Sequence, residues 1–262
     1  MDNYFICNLF DSRNYDYMLV QDYEISPPSM KQKIVSINGM DGTLNFNDKN
    51  DKNRPVYDDR IVTIPIVLHS NTPEQHNKNV NEFLNTFGIL NGFELKLSKT
   101  GNLVWNAYVE KIQPFKRLGN CADSVVLQFR IAPFCIGNKS ISETFTINSE
   151  TINANIVNNG SFYCDTYKLI ATGAFETLRI SYGDNFLEYK GGLAAKEELI
   201  IDFSKYTIQK KVNKVISDVN TNTWSGFFFE LQPGNVELTL YSNGNANVYF
   251  EIYPKFLYTE VL

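Results

Sequence analysis

The stretch Phe227-Phe228-Phe229-Glu230-Leu231-Gln232-Pro233-Gly234-Asn235-Val236-Glu237-Leu238-Thr239-Leu240-Tyr241 sets an apolar run on either side of a Pro-Gly-Asn triplet. Proline presets φ for the first corner of a turn, glycine accepts positive φ, and asparagine closes turns with its own side chain. The flanking Phe, Val, Leu and Thr suit a pleated, half-buried surface. The stretch therefore predicts a hairpin, and the residues around it repeat the design.

Working outward, β-type runs at 145–147, 151–157, 167–172, 175–182, 186–189, 199–203, 206–212, 247–253 and 256–261 fill the second half. Clusters such as Asn158-Asn159-Gly160, Gly183-Asp184-Asn185 and Ser242-Asn243-Gly244-Asn245 separate them, and Gly191-Gly192 reads as another turn. Short strands at this spacing predict a sandwich or barrel.

The first half adds one helix. Thr72 stands as N-cap, Pro73 at the first helical position and Gln75 at the capping-box position, and Gly88 ends the run. Val80, Phe83, Leu84 and Phe87 form an apolar stripe, and His76 lies at its edge as a packing or solvent-edge residue. Strands are predicted at 15–20, 30–37, 61–68, 93–97, 103–112 and 124–134. Pro65 lacks the N–H of a central strand and places the 61–68 run at a sheet edge or bulge. Residues 43–60 are almost wholly polar and read as a partner-facing or simply flexible loop, with Asp48, Asp51, Lys52 and Arg54 as the side chains that would face a partner. The ladder breaks after Phe134, so the expected domains are 1–137, with the helix, and 138–262. The fold class is mainly β: a sandwich- or barrel-like first domain with one α-helix, and a second β-sandwich.

Composition narrows the function. A net charge of −5 and a pI near 5.2 give no concentrated Lys/Arg surface for phosphates, which argues against nucleic acid. No apolar run approaches the roughly 20 residues that span a bilayer, and no signal-peptide layout opens the chain, so a soluble cytosolic product without membrane association is expected. Cys7, Cys121, Cys135 and Cys164 are scattered without C-x-x-C spacing or a nearby histidine, which points to free thiols rather than disulfides or zinc.

The search for chemistry is short. Only His69 and His76 are present, and no nucleophile-elbow or papain-like signature surrounds any Ser or Cys. Residues 48–53 fail the calcium-loop pattern, with Lys52 at a ligand place and Asn53 at the glycine place. Asp184, Glu188, Glu197 and Glu198 read as surface charges near turns. No catalytic set, metal site or cofactor site is expected. Aromatic faces suit the flat apolar faces of sugars, and Trp224 and Tyr241 are the candidate carbohydrate contacts.

The order of motifs resembles the distal tail proteins of siphophages, long-tailed non-contractile phages of Gram-positive hosts. In the first half it rests on Ile37-Asn38-Gly39-Met40-Asp41-Gly42, Asp59-Arg60-Ile61-Val62, the helix ending at Phe83-Leu84, Trp105-Asn106-Ala107-Tyr108-Val109-Glu110-Lys111-Ile112 and Phe129-Arg130-Ile131-Ala132-Pro133-Phe134. In the second half it rests on Asn159-Gly160-Ser161, Leu169-Ile170-Ala171-Thr172-Gly173, Ile201-Asp202-Phe203 and Leu231-Gln232-Pro233-Gly234-Asn235. Two departures stand out: Tyr167 where the family commonly has proline, and a Pro-Gly-Asn one residue shorter than Pro-Gly-x-Asn. The resemblance implies a non-enzymatic baseplate hub: a first domain closing into a homohexameric ring and an outward galectin-like sandwich. It implies tail-tube protein on one side, and tail-associated lysin or fibre protein and receptor-binding proteins on the other. It further implies assembly in the host cytoplasm and residence at the virion tail tip. The alternative is a carbohydrate-binding module for host cell-wall polymer.

Overall fold

A computed structural model of the chain describes residues 3–8, 10–36, 43–47, 55–90, 92–141 and 144–257. The chain divides into two compact units, Met1–Cys135 with Leu257–Leu262, and Ile136–Phe256. Both are mainly β.

The first unit contains β1 (Phe5–Cys7), β2 (Phe10–Asp11), β3 (Met18–Val20), β4 (Glu24–Ile25), β5 (Gln32–Ser36), β6 (Thr43–Asn47) and β7 (Arg60–His69). After α1 (Pro73–Gly88) come β8 (Phe93–Leu97), β9 (Trp105–Ile112), β10 (Lys116–Gly119) and β11 (Ala122–Ile131). Its main sheet runs β2-β1-β8-β9-β11-β7-β3, with β10 also on β11 and β4 also on β7, and all of its pairings are antiparallel. Strict alternation makes its centre: Val62, Ile64, Ile66 and Leu68 on β7 and Val125, Leu127, Phe129 and Ile131 on β11 are all buried.

Helix α1 closes over this sheet. Thr72 caps it as expected, its hydroxyl accepting from the Gln75 N–H at 3.2 Å, with Pro73 in the first turn. The buried side is His76, Asn79, Phe83 and Phe87, whereas Leu84 is 38% exposed, so the stripe is turned from the expected one. Aromatic contacts explain the turn. Phe87 meets Phe5 at 5.9 Å, Phe10 at 5.0 Å and Phe129 at 6.2 Å between ring centroids, and this one side chain ties the helix to three strands.

Two expectations for this unit are corrected. Pro65 is not on an edge strand, because β11 pairs with β7 from Ala122↔His69 to Ile131↔Arg60 while β3 and β4 share its other side. Pro65 falls in the gap between those short strands, where its carbonyl accepts from the Gln21 N–H at 2.9 Å. A residue's N–H and C=O point to the same side of a strand, so the missing donor faces the gap and no ladder bond is lost. The polar 43–60 segment is not a loop throughout: β6 pairs with β5 from Gln32↔Asn47 to Ser36↔Thr43. The turn expected at Asn38-Gly39-Met40-Asp41-Gly42 lies outside the described residues.

From β12 (Cys135–Ile136) the chain enters the second unit: β13 (Ser140–Ile141), β14 (Phe145–Asn148), β15 (Thr151–Asn158), β16 (Tyr167–Ala174), β17 (Leu178–Tyr182), β18 (Asn185–Tyr189) and β19 (Glu198–Asp202). Then come β20 (Thr207–Val212), β21 (Val215–Asp218), β22 (Trp224–Gly226), β23 (Gly234–Ser242), β24 (Asn245–Ile252) and β25 (Lys255–Phe256). One sheet runs β13-β24-β16-β19-β20-β21 with β14 also on β24, and the other runs β15-β23-β17-β18-β22. Inward residues of both sheets, among them Leu169, Ile201 and Phe250 from the first and Ile180, Leu187 and Leu238 from the second, merge in one apolar core.

The hairpin expected at Pro233-Gly234-Asn235 does not form. Gly234, at φ +87°, opens β23, whose partners are β15 and β17. The preceding arm is held elsewhere: Leu231 and Cys164 exchange two backbone bonds of 2.8 Å, and the buried Asn158 amide donates to Leu231 O at 3.1 Å and Gln232 O at 3.2 Å. Those long-range bonds win over the local turn chemistry. Tyr167 stacks on Phe203 at 4.0 Å and donates its hydroxyl to Phe229 O at 2.9 Å.

Candidate functional site

The sequence candidates fall in three places. Asp48, Asp51, Lys52 and Arg54 lie outside the described residues. The described residues before β5 and after that segment are tied together: Met30 bridges Tyr57, Lys31 N–H donates to Val56 O at 2.8 Å and Asp58 N–H donates to Ser29 O at 2.9 Å.

Trp224 and Tyr241 share a sheet but not a face. Trp224 is level with Tyr189, Leu178 and Ser242 across β22, β18, β17 and β23, and those three are buried. Tyr241, next to Ser242, points the opposite way, since side chains alternate along a strand. Trp224 packs edge-on against Phe228 at 5.7 Å and joins the core, while Tyr241 is 36% exposed. The two rings therefore do not make one platform.

The polar cluster that the sequence reading missed lies under α1. His76 is fully buried, and its Nε2 is 2.8 Å from Asp123 Oδ2, which as a carboxylate accepts the proton. Arg117 Nε sits 3.1 Å from the other oxygen of Asp123. Beside this pair Asn79 donates to Ser70 Oγ at 2.8 Å and accepts from Gln75 Nε2 at 2.7 Å. A signal was present: Asp123 precedes Val125, Leu127, Phe129 and Ile131 on the same alternation, so the strand pattern itself carries a carboxylate inward. Among the described residues His76 Nδ1 has no hydrogen-bond partner and Ser70 is engaged by Asn79, so no nucleophile–base contact of an acyl-transfer site is seen there.

A shallow depression of about 490 Å³ opens in the first unit, lined among others by Asn8, Asp59, Phe93, Glu94, Asn106 and Tyr108. It lies where β9 outruns β8, whose pairing ends at Phe93↔Ala107. Asn8, at φ +52°, fixes its rim by donating its N–H to Glu94 O at 3.2 Å and accepting from Glu94 N–H at 3.1 Å.

Thiol chemistry is muted at the buried cysteines. Burial pushes the Cys7 thiol far above its usual range, raises Cys164, and takes Cys135 up to about 11. Glu188, Glu197 and Glu198 are engaged by Lys190, Lys210 and Lys211 at 2.8, 2.6 and 3.0 Å. Among the described residues no group of three or more His, Cys, Asp or Glu is placed to hold a metal, and no helix is long and apolar enough to cross a membrane.

Comparison with known proteins supplies what the side chains do not. No family model and no curated protein matches the chain. Solved structures do. The Dit (gp 19.1) protein of phage SPP1, described as a paradigm of hub adsorption apparatus in Gram-positive infecting phages, is similar over 98% of this chain and 100% of its own, with 15% identity and a TM-score of 0.73. A chain of the phage P2 baseplate in its activated conformation with Ca is similar over 97% of this chain and 98% of its own, at 9% identity and a TM-score of 0.52. Its counterpart with Sr gives 96% and 97%, at 8% identity and a TM-score of 0.51. The chain has the fold of a Dit-like phage tail protein, along its whole described length.

Proposed function

We propose that this chain is a structural hub of a phage tail tip, without catalytic activity. The observation that carries the reading is the end-to-end match of both units to a hub protein, with neither chain leaving a domain over. In this reading the helix-bearing unit closes a homohexameric ring and the sandwich unit lies at its periphery. The ring joins the tail-tube protein to the tail-associated lysin or fibre protein and carries receptor-binding proteins. It assembles in the host cytoplasm and stays at the virion tail tip. A heterologous ring needs two different patches on each copy, and the uneven flank of the first unit, where β9 runs past β8, supplies an edge of that kind.

Co-expression with the neighbouring tail-tube protein tests the reading. Electron micrographs of the purified product are expected to show rings with a central channel. A chain that stays monomeric under co-expression and never enters tails overturns it.

A further inference from the structure

The outward face of the sheet β15-β23-β17-β18-β22 holds a cation, Arg179, that makes no salt bridge among the described residues. Arg179, on β17, lies with its guanidinium carbon 4.2 Å from the centre of the Phe186 ring. The residue directly across from it on β18 is Glu188, the natural partner for a cross-strand ion pair. Glu188 is taken: its carboxylate meets Lys190 Nζ at 2.8 Å. The one hydrogen bond of the Arg179 side chain among the described residues is a long contact of 3.4 Å from Nε to Ser181 Oγ, so the two terminal nitrogens of the fork remain open. A half-buried guanidinium held over an aromatic ring, with its cross-strand carboxylate turned to Lys190, has its fork available to an outside anion.

The neighbours say which kind of anion. Tyr241 stands directly across from Arg179 on the other side, on β23, and is partly exposed. The Phe186 ring thus lies against the guanidinium and Tyr241 stands beside it. Around them, Thr151 and Asn153 on β15 and Thr239 on β23 present hydroxyl and amide groups on the same face. A ring-shaped polyhydroxyl compound suits an aromatic face ringed by short polar groups. From this arrangement we infer that the face binds an anionic saccharide, a sugar bearing a phosphate or carboxylate. Arg179 takes the anion, Tyr241 takes a sugar face, and the Thr/Asn row takes hydroxyls. Trp224, on the opposite face of the same sheet, plays no part. The inference stands apart from the hub reading, since ring closure and sugar binding are measured separately.

The test is an NMR titration of the full chain with glucose 1-phosphate and with glucuronate, against glucose, inorganic phosphate and a glutamate-rich peptide as comparators. Saturable shifts of the Arg179 side-chain N–H and Tyr241 ring signals are expected in the millimolar range for the two anionic sugars. R179A and Y241A, checked for folding by circular dichroism, are expected to weaken binding by about tenfold or more, and W224F to leave it unchanged. R179K, which keeps the charge and loses the fork, is expected to fall between wild type and R179A. Absence of saturable shifts up to roughly 50 mM of either anionic sugar overturns the inference, as does equal binding of inorganic phosphate or of the acidic peptide. R179A and R179K binding like the wild type also overturns it.

Discussion

The two units solve their interiors differently. In the first, polar side chains are taken out of water at the places where elements meet: His76 on α1 with Asp123 on β11, Asn79 with Ser70, and Arg60 donating from Nε to Ser26 O at 2.7 Å and from Nη1 to Leu257 O at 3.2 Å. In the second, the space between the sheets is mostly carbon and aromatic rings, and the buried polar side chains bond backbone groups rather than one another. Asp202 accepts from Ser204 N–H at 3.1 Å and Asn158 gathers three carbonyls, those of Phe162, Leu231 and Gln232. Apolar area is non-directional and lets facing sheets find their own best fit. A hydrogen-bonded charge has a direction, and it sets where a lone helix sits along a sheet.

The sharpest way to break that comparison is to remove the directional bond. D123A leaves His76 and Arg117 without their carboxylate and is expected to cost about 3–5 kcal/mol in urea unfolding, while H76L/D123V, which removes both buried partners, recovers much of it. A double variant as damaged as the single one would show that the pair contributes more than its own satisfaction. In the sandwich, backbone crowding replaces polar specificity. Gly173 stands at φ +125° with an added Cβ only 2.1 Å from Asn245 O, so G173A is expected to cost about 3 kcal/mol through strain and a shifted β24. Loss of thermal stability with altered amide exchange at residues 245–247 is the readout.

Tyr167 sharpens the contrast, because its ring is deep in the sandwich core and burial holds its hydroxyl well above the usual tyrosine range. Y167F keeps the stacking on Phe203 and removes the bond to Phe229 O, and a cost of about 1–2 kcal/mol is expected. A loss as large as that of D123A would mean that the second unit depends on a polar bond as the first does. The smallest effect is at the helix start: T72A removes the cap on Gln75 N–H and is expected to cost about 1 kcal/mol by chemical denaturation.

What was legible in the sequence follows the same physics. Patterns that depend on neighbours along the chain were readable, including the cap and proline of α1 and the alternation of β7 and β11. Features decided by distant partners were not. Nothing local says that Asn158 will capture the 231–232 carbonyls and leave Gly234 to begin a strand. The tolerance of Pro65 depends on a gap in a neighbouring ribbon. Strand β21 was missed because it is exposed throughout, with no alternation to detect; its turn, Asn213-Lys214 with φ +49° and +70°, was the available clue. At the candidate site, aromatic character is what singles out Tyr241 in the sequence. Its pairing with Trp224 required the register, which places the two on opposite faces and puts Arg179 beside Tyr241 instead.

The hub assignment rests on the fold match, and ring closure is its most direct test. Mass measurement and two-dimensional class averages of the chain co-expressed with its tail-tube neighbour are decisive. The account predicts a species containing six copies of the 30.0 kDa chain, with six-fold averages around an open channel. A chain recovered only as a 30.0 kDa monomer, with no ring in the averages, would contradict it.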